Sequence, residues 1–248
     1  MIEILYGRNA VHEALRAGRR KVMEVTLAEG VKLQGTVARL VELARQKRIP
    51  LRQAQRRQMD TLVRGANHQG VIAHASVYPY AEEEDILGLA SERGEAPFVL
   101  VLDCLQDPQN LGALLRTAEA VGVHGVFIPR NRAADISPAV SNASAGAVEH
   151  LRVARVTNLV RAMEALKKAG VWVIGVEDVP GALEYRTADL DRPLALVIGS
   201  EGEGLRRLVR ERCDFLVRLP MRGQIHSLNA AVAGSIILYE AWRQREQA

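Results

Sequence analysis

From Phe98 onward the chain alternates short, wholly apolar runs with longer amphipathic stretches. The apolar runs predict strands at Phe98 to Asp103, Gly125 to Pro129, Val171 to Val176, Leu194 to Gly199 and Phe215 to Leu219. Helical spacing predicts helices at 109–121, around 137–148, and at 157–169, 203–212 and 228–245. Runs such as Leu194-Ala-Leu-Val-Ile198 carry no polar face, as expected of parallel strands covered on both sides. This βα alternation predicts a doubly wound parallel α/β domain over residues 97–248.

Upstream the pattern is weaker. Ala10, Val11, Ala14 and Leu15 share one helical face that stops at Gly18; Val22 to Leu27 and Gly70 to Val77 read as strands, and Val37 to Lys47 as an amphipathic helix. Residues 1–77 therefore form a small mixed α/β domain. Between Tyr78 and Pro97 the chain turns acidic and breaker-rich, with Glu82-Glu-Glu-Asp85 and Ser91-Glu-Arg-Gly-Glu95. That composition predicts a linker at 78–96 with one short helix inside it.

Composition narrows the classes. The chain has 248 residues, of which 48% are hydrophobic, and no apolar run nears the roughly 20 residues a membrane span needs. The N-terminus shows neither the basic start nor the apolar core of a signal peptide, so a cytoplasmic location is expected. Cys104 and Cys213 have no metal-ligand spacing, and the six histidines form no paired motif, so no metal is expected. Five of the 33 basic residues are lysine and 28 are arginine, whose planar fork suits phosphate and guanine; genome composition or heat adaptation accounts for the bias equally well. Arg45, Lys47, Arg48, Arg52, Arg56, Arg57 and Arg64 concentrate charge in the first domain, as a solvated face or as an RNA-facing patch. Few aromatics interleave with them, which favours contacts to phosphate or RNA shape over base stacking.

Three segments carry candidate chemistry. Gly199-Ser-Glu-Gly-Glu-Gly204 follows a strand but lacks the Lys-Ser/Thr of a phosphate-binding loop, and its two carboxylates suit a cationic or neutral ligand. A structural turn would also use these glycines. Asn110 lies at the start of a helix and Arg116 about two turns on, while Leu111, Leu114, Leu115 and Ala118 already make that helix's apolar face. Leu219-Pro-Met-Arg-Gly223 leads to His226-Ser-Leu-Asn229, where Ser227 is a plausible cap for the terminal helix. His226 fits a surface role or that of a base.

Together these segments resemble the SpoU/TrmH family of S-adenosylmethionine-dependent RNA 2′-O-ribose methyltransferases, of the trefoil-knotted group. The matching motifs run in order: Asp107 to Ala118 with Asn110 and Arg116; Leu196-Val-Ile-Gly199-Ser-Glu201-Gly202; and Leu219 to Gly223 with Ser227-Leu-Asn229 and Leu238-Tyr-Glu240. Tyr6-Gly-Arg-Asn-Ala-Val11 and Gly65-Ala-Asn-His-Gln-Gly-Val71 resemble the L30e-like RNA-binding domain of the branch acting on a guanosine of 23S ribosomal RNA. The family often has Val-Ser where Ala230-Ala231 stand and lysine where Asn142 stands.

The resemblance implies a trefoil knot at the C-terminal end, a homodimer, and S-adenosyl-L-methionine held largely by backbone groups at Ile198, Gly199, Leu219, Met221, Ser227 and Leu228. It implies that Arg116 activates the ribose hydroxyl, that Glu201 orients Arg116 or the cofactor side, and that Asn110, Ser227 and Asn229 hold the ribose and a neighbouring phosphate. Arginine stays protonated in proteins, with a pKa above about 12. The proton acceptor is thus open between Arg116 alone, Arg116 helped by an RNA phosphate, and His226. A tRNA guanosine 2′-O-methyltransferase and a non-catalytic RNA-binding ribosome-assembly factor are the alternative readings.

Overall fold

The computed structural model describes residues 1–225 and 227–246. In chain order its elements are β1 (Ile2–Tyr6), α1 (Arg8–Ala17), β2 (Val22–Ala28), α2 (Thr36–Gln46), β3 (Leu51–Ala54), α3 (Arg56–Leu62), β4 (Val71–Ser76), α4 (Glu83–Arg93), β5 (Phe98–Leu102), α5 (Pro108–Ala120), β6 (Gly125–Pro129) and α6 (Pro138–Ala143). They continue as a 3-10 turn (Ala147–His150), β7 (Val153–Val156), α7 (Leu159–Lys168), β8 (Trp172–Val176), β9 (Leu183–Glu184), β10 (Leu194–Ile198), α8 (Arg207–Glu211), β11 (Phe215–Arg218) and α9 (Ala230–Glu246). These elements form two compact units. The first comprises Met1–Pro79 and Ile136–His150; the second comprises Tyr80–Asp135 and the chain from Leu151 onward.

In the first unit the sheet runs β1-β4-β2-β3, with only β2 and β3 parallel. Val11, Ala14 and Leu15 of α1 and Val37, Leu40, Val41 and Ala44 of α2 are buried together with Leu5, Val25, Val71 and Ala73 of the sheet. β1, β3 and α3 go beyond the sequence reading. Leu51–Ala54 carries two polar residues in four, and α3 buries only Met59, so neither has an apolar period to read.

Residues 136–150 also belong to this first unit. The helix predicted around 137–148 breaks after Ala143, because Ala145 and Gly146 take φ of 52° and 85°, outside any right-handed helix. Gly146 then lies against α1 so closely that a Cβ would stand 2.9 Å from the Asn9 carbonyl oxygen. Beyond it, Glu149 is 1% exposed and Arg20 is 3% exposed. Arg20 Nε donates to Glu149 Oε2 (2.9 Å), Ser141 Oγ donates to Glu149 Oε1 (2.8 Å), and Arg20 Nη1 donates to Glu3 Oε2 (2.6 Å). Glu149→Ala leaves this guanidinium buried beside a void and is expected to cost about 3–5 kcal/mol, read as a fall in the denaturant midpoint at unchanged slope.

The second unit is built on a seven-stranded sheet of order β7-β6-β5-β10-β8-β11-β9, and every pairing in it is parallel. Fully apolar β5 and β10 are its centre. The predicted linker is corrected here. Its helix, α4, plants Ile86 in the core beside Val99 and Phe127, so the chain enters the second unit at Tyr80 without a free spacer. β7 and β9 are additional edge-side strands, too short or too interrupted by Arg155 to stand out in the sequence. The helix predicted at 203–212 shrinks to α8, because the residues before Arg207 are spent on a loop.

Both thiols are chemically quiet. Burial pushes Cys213 up to about 12 and raises Cys104 as well, so each stays protonated at neutral pH and neither is a ready nucleophile. Among the described residues no helix is long and apolar enough to cross a membrane.

Candidate functional site

A doubly wound sheet places its ligand site at the carboxyl ends of its strands. At the end of β10, Ser200 and Gly204 exchange both backbone hydrogen bonds at 3.1 Å, closing a tight loop. The loop folds back on its own start: a Cβ on Gly199 would fall inside the backbone of Gly204 and 2.6 Å from the Leu205 nitrogen. Glycine is therefore required at 199 by contact with the chain itself.

Two strand-end carboxylates pin the far side of this loop. Asp103, wholly buried after β5, accepts from the backbone nitrogen of Arg206 (2.9 Å) and from its Nε (2.6 Å). Glu177, just after β8, accepts from the Leu205 nitrogen (3.3 Å) and from Arg210 Nη2 (2.8 Å). Glu177 and the adjoining Asp178 were not singled out from the sequence. Their position directly after an apolar strand is the same signal that marks Glu201.

With the segments after β11 and before α9, the loop encloses a cavity of about 590 Å³. Ile198, Gly199, Glu201, Leu219, Met221, Ser227, Leu228 and Asn229 all line it. Eight of the ten residues named from the sequence thus meet in one place. Glu177, Asp178 and Glu203 line it beside Glu201, and Arg218 is the only cation among the described lining residues. Such a lining suits a small, cationic or neutral molecule.

A polar cluster stands at the cavity's edge. Asn110, in the first turn of α5, donates through Nδ2 to Glu201 Oε1. Asn229 Nδ2 donates to Glu201 Oε1 (2.6 Å) and to Asn110 Oδ1 (3.0 Å). Local structure holds both amides in place. Asp107 caps α5 by accepting from the nitrogens of Gln109 and Asn110, each at 3.2 Å. Asn229 Oδ1 accepts from the nitrogens of Ala231 (2.9 Å) and Val232 (3.2 Å). Asn229, and not Ser227, is therefore the cap of α9: the helix begins at Ala230, one residue beyond it.

Arg116 alone of these ten predicted residues belongs neither to the cavity lining nor to the polar cluster at its edge. It does not line the cavity; six residues after Asn110, it lies roughly 9 Å further along α5 and about a third of a turn around it. Its side chain is exposed and has no hydrogen-bond or ion-pair partner among the described residues. Thr117, beside it, bonds Ser235 of α9 at 2.8 Å and so fixes the helix that carries it. His226, the other candidate for handling a proton, lies outside the described residues.

Comparison with known proteins gives two domain matches. Residues 97–239 match the SpoU rRNA Methylase family, and residues 4–81 match RNA 2'-O ribose methyltransferase substrate binding. A Bacillus subtilis (strain 168) protein named as a TrmH family tRNA/rRNA methyltransferase is 46% identical over 243 residues, 98% of this chain and 96% of that one. The crystal structure of the SpoU methyltransferase AviRb from Streptomyces viridochromogenes, in complex with the cofactor AdoMet, aligns with a TM-score of 0.81 at 27% identity, covering 100% of this chain and 92% of that one. An AdoMet-bound rRNA methyltransferase from Sinorhizobium meliloti aligns with a TM-score of 0.77 at 27% identity, over 98% of this chain and 87% of that one.

Proposed function

The chain belongs to the SpoU/TrmH family of RNA methyltransferases, which use S-adenosylmethionine, and from that premise we propose that it methylates the ribose 2′-hydroxyl of a guanosine in 23S ribosomal RNA. The observation that carries the reading is the cluster of Asn110, Glu201 and Asn229 at the edge of the acidic cavity. It offers amide donors and a carboxylate acceptor, which suit a ribose, beside a space of cofactor size. The likeness to an rRNA methyltransferase runs through the substrate-binding unit as well, which favours ribosomal RNA as the target.

The cavity fits the cofactor on its own terms. Gly199 lets the loop fold back tightly at the end of β10 and so shapes one wall, and the acidic lining suits a positively charged sulfur. Ile198, Gly199, Leu219, Met221, Ser227 and Leu228 would hold the adenosine part. When bound, the sulfonium supplies a methyl group with its leaving group already in place. A trefoil knot, in which the chain after β11 threads the preceding loop, is part of this reading.

What the protein must add is alignment and help in losing a proton, because a ribose hydroxyl is a weak nucleophile at neutral pH. Asn110, Asn229 and Ser227 orient the ribose. Glu201, already shared by both amides, fixes their direction. Arg116 acts on the hydroxyl electrostatically, and a neighbouring RNA phosphate accepts the proton, since a guanidinium is already protonated.

The homodimer rests on α9. Val232, Ile236 and Tyr239 form an exposed apolar stripe at helical spacing, which a second copy would cover. The whole reading is placed in the cytoplasm, where ribosomal RNA matures.

Tritium transfer from labelled S-adenosylmethionine, followed by mapping of 2′-O-methyl positions, tests the target. Label is expected on one guanosine of unmodified 23S rRNA. Label on tRNA alone, or on a base rather than a ribose, would overturn the assignment.

A further inference from the structure

A second cavity, of about 560 Å³, opens at the carboxyl ends of β6 and β7. Its polar lining is Asn131, Arg132, Thr157, Asn158, Arg206 and Arg207, and no acidic residue is among its lining residues. This is the opposite electrostatic character to the cavity at the ends of β8, β10 and β11. Arg132 has no hydrogen-bond or ion-pair partner among the described residues, and Arg207 has only the exposed Glu211 four residues on.

The floor of this cavity adds donors. Leu159 and Val160, the first two residues of the ten-residue helix α7, line it. The nitrogens of a helix's first turn have no acceptor within the helix, and its N-terminus carries partial positive charge. Asn158 Oδ1 occupies only the Arg161 nitrogen (3.1 Å), so the nitrogens of Leu159 and Val160 have no acceptor among the described residues. Guanidinium forks, amide side chains and free backbone N–H groups around one hollow make a receptor for a phosphate-type anion.

Its place on the sheet says which anion. β5 is the only strand between β6 and β10, and the helix carrying Asn110 follows β5 directly. Neighbouring strands stand about 4.8 Å apart, so the cationic hollow begins within about two strand spacings of the ribose cluster. The link is covalent as well as spatial. The loop that lines the acidic cavity ends at Gly204, and two residues later Arg206 and Arg207 line the cationic one.

We propose that this cavity grips a phosphodiester of the RNA strand next to the target ribose, setting the register in which the hydroxyl meets the methyl donor. The inference rests on the RNA methyltransferase reading above. It adds a second anchor on the catalytic unit itself, distinct from whatever RNA affinity the N-terminal unit provides.

Arg206 holds the buried Asp103, so its removal would disturb the fold; Arg132 and Arg207 are the residues to change. The double variant Arg132→Gly, Arg207→Ala suits the backbone, because Arg132 sits at φ 61°, where glycine is at ease. With an unmodified single-stranded fragment of 23S rRNA as probe, its dissociation constant is expected to rise roughly tenfold or more at physiological salt. The slope of log affinity against log salt should become shallower by about 0.7, as the loss of one neutralised phosphate on a single strand requires. The dissociation constant for S-adenosylmethionine and the melting temperature should stay at wild-type values. In NMR titrations with inorganic phosphate, the amide signals of Leu159 and Val160 should move in the wild type and stay put in the variant.

RNA affinity and salt slope equal to wild type would overturn the proposal, even if inorganic phosphate moves those signals, since the cavity would then take free phosphate only. A wild-type protein that binds RNA with the expected salt slope but transfers no methyl would leave the anchor standing and remove the enzymatic reading instead.

Discussion

Arg116→Ala is expected to lower single-turnover methyl transfer by about 10²–10³-fold while S-adenosylmethionine binds as before. The residue is exposed and has no partner among the described residues, so its loss breaks no internal bond and exposes no core. Surface changes of that kind usually move stability by less than about 0.5 kcal/mol. Any large effect must then come from the substrate side. Lysine at the same position keeps the charge but not the flat fork, so Arg116→Lys should recover only part of the rate. Near-normal transfer by the alanine variant in a single-turnover assay would take Arg116 out of the chemistry.

Gly199→Ala attacks the other half of the site. The added methyl group would occupy the space of the Gly204 backbone, so the loop between Ser200 and Gly204 has to shift outward. Overpacking of this type costs about 1–3 kcal/mol. If the displaced loop must be forced back for the cofactor to bind, that energy becomes a roughly 5- to 150-fold weaker S-adenosylmethionine affinity. Calorimetric titration measures this directly. An unchanged dissociation constant would show that the loop's backbone does not form the cofactor's seat.

What could be read from the sequence follows from where the physics is local. β5 and β10 are apolar at every position because they are covered on both faces, and they announced themselves. Gly199 and Glu201 at a strand end and Asn229 at a helix start are legible because a parallel sheet gathers its loops on one rim. β3, α3, β7 and β9 are not, since short or polar edge elements take their order from neighbours and carry little period of their own. The cap of α9 is Asn229, two residues beyond the predicted Ser227. Ser227 and Asn229 are both good caps, and only the register of the first helical turn decides between them. The pinning of the glycine loop by Asp103 and Glu177 joins residues far apart in sequence, 103 to 206 and 177 to 210, and no local pattern could reveal it.

The N-terminal unit borrows residues 136–150, and this orders events during synthesis. Translation proceeds at about 5–20 residues per second, so the last piece of that unit follows its first 79 residues by about 4–14 seconds. During that interval Arg20 has emerged without Glu149, the anion it is buried against in the finished protein. Residues 1–79 on a nascent chain therefore lack both a segment of their unit and the buried carboxylate that faces Arg20. The unit that comes first off the ribosome is finished only after more than a third of its neighbour has already been made.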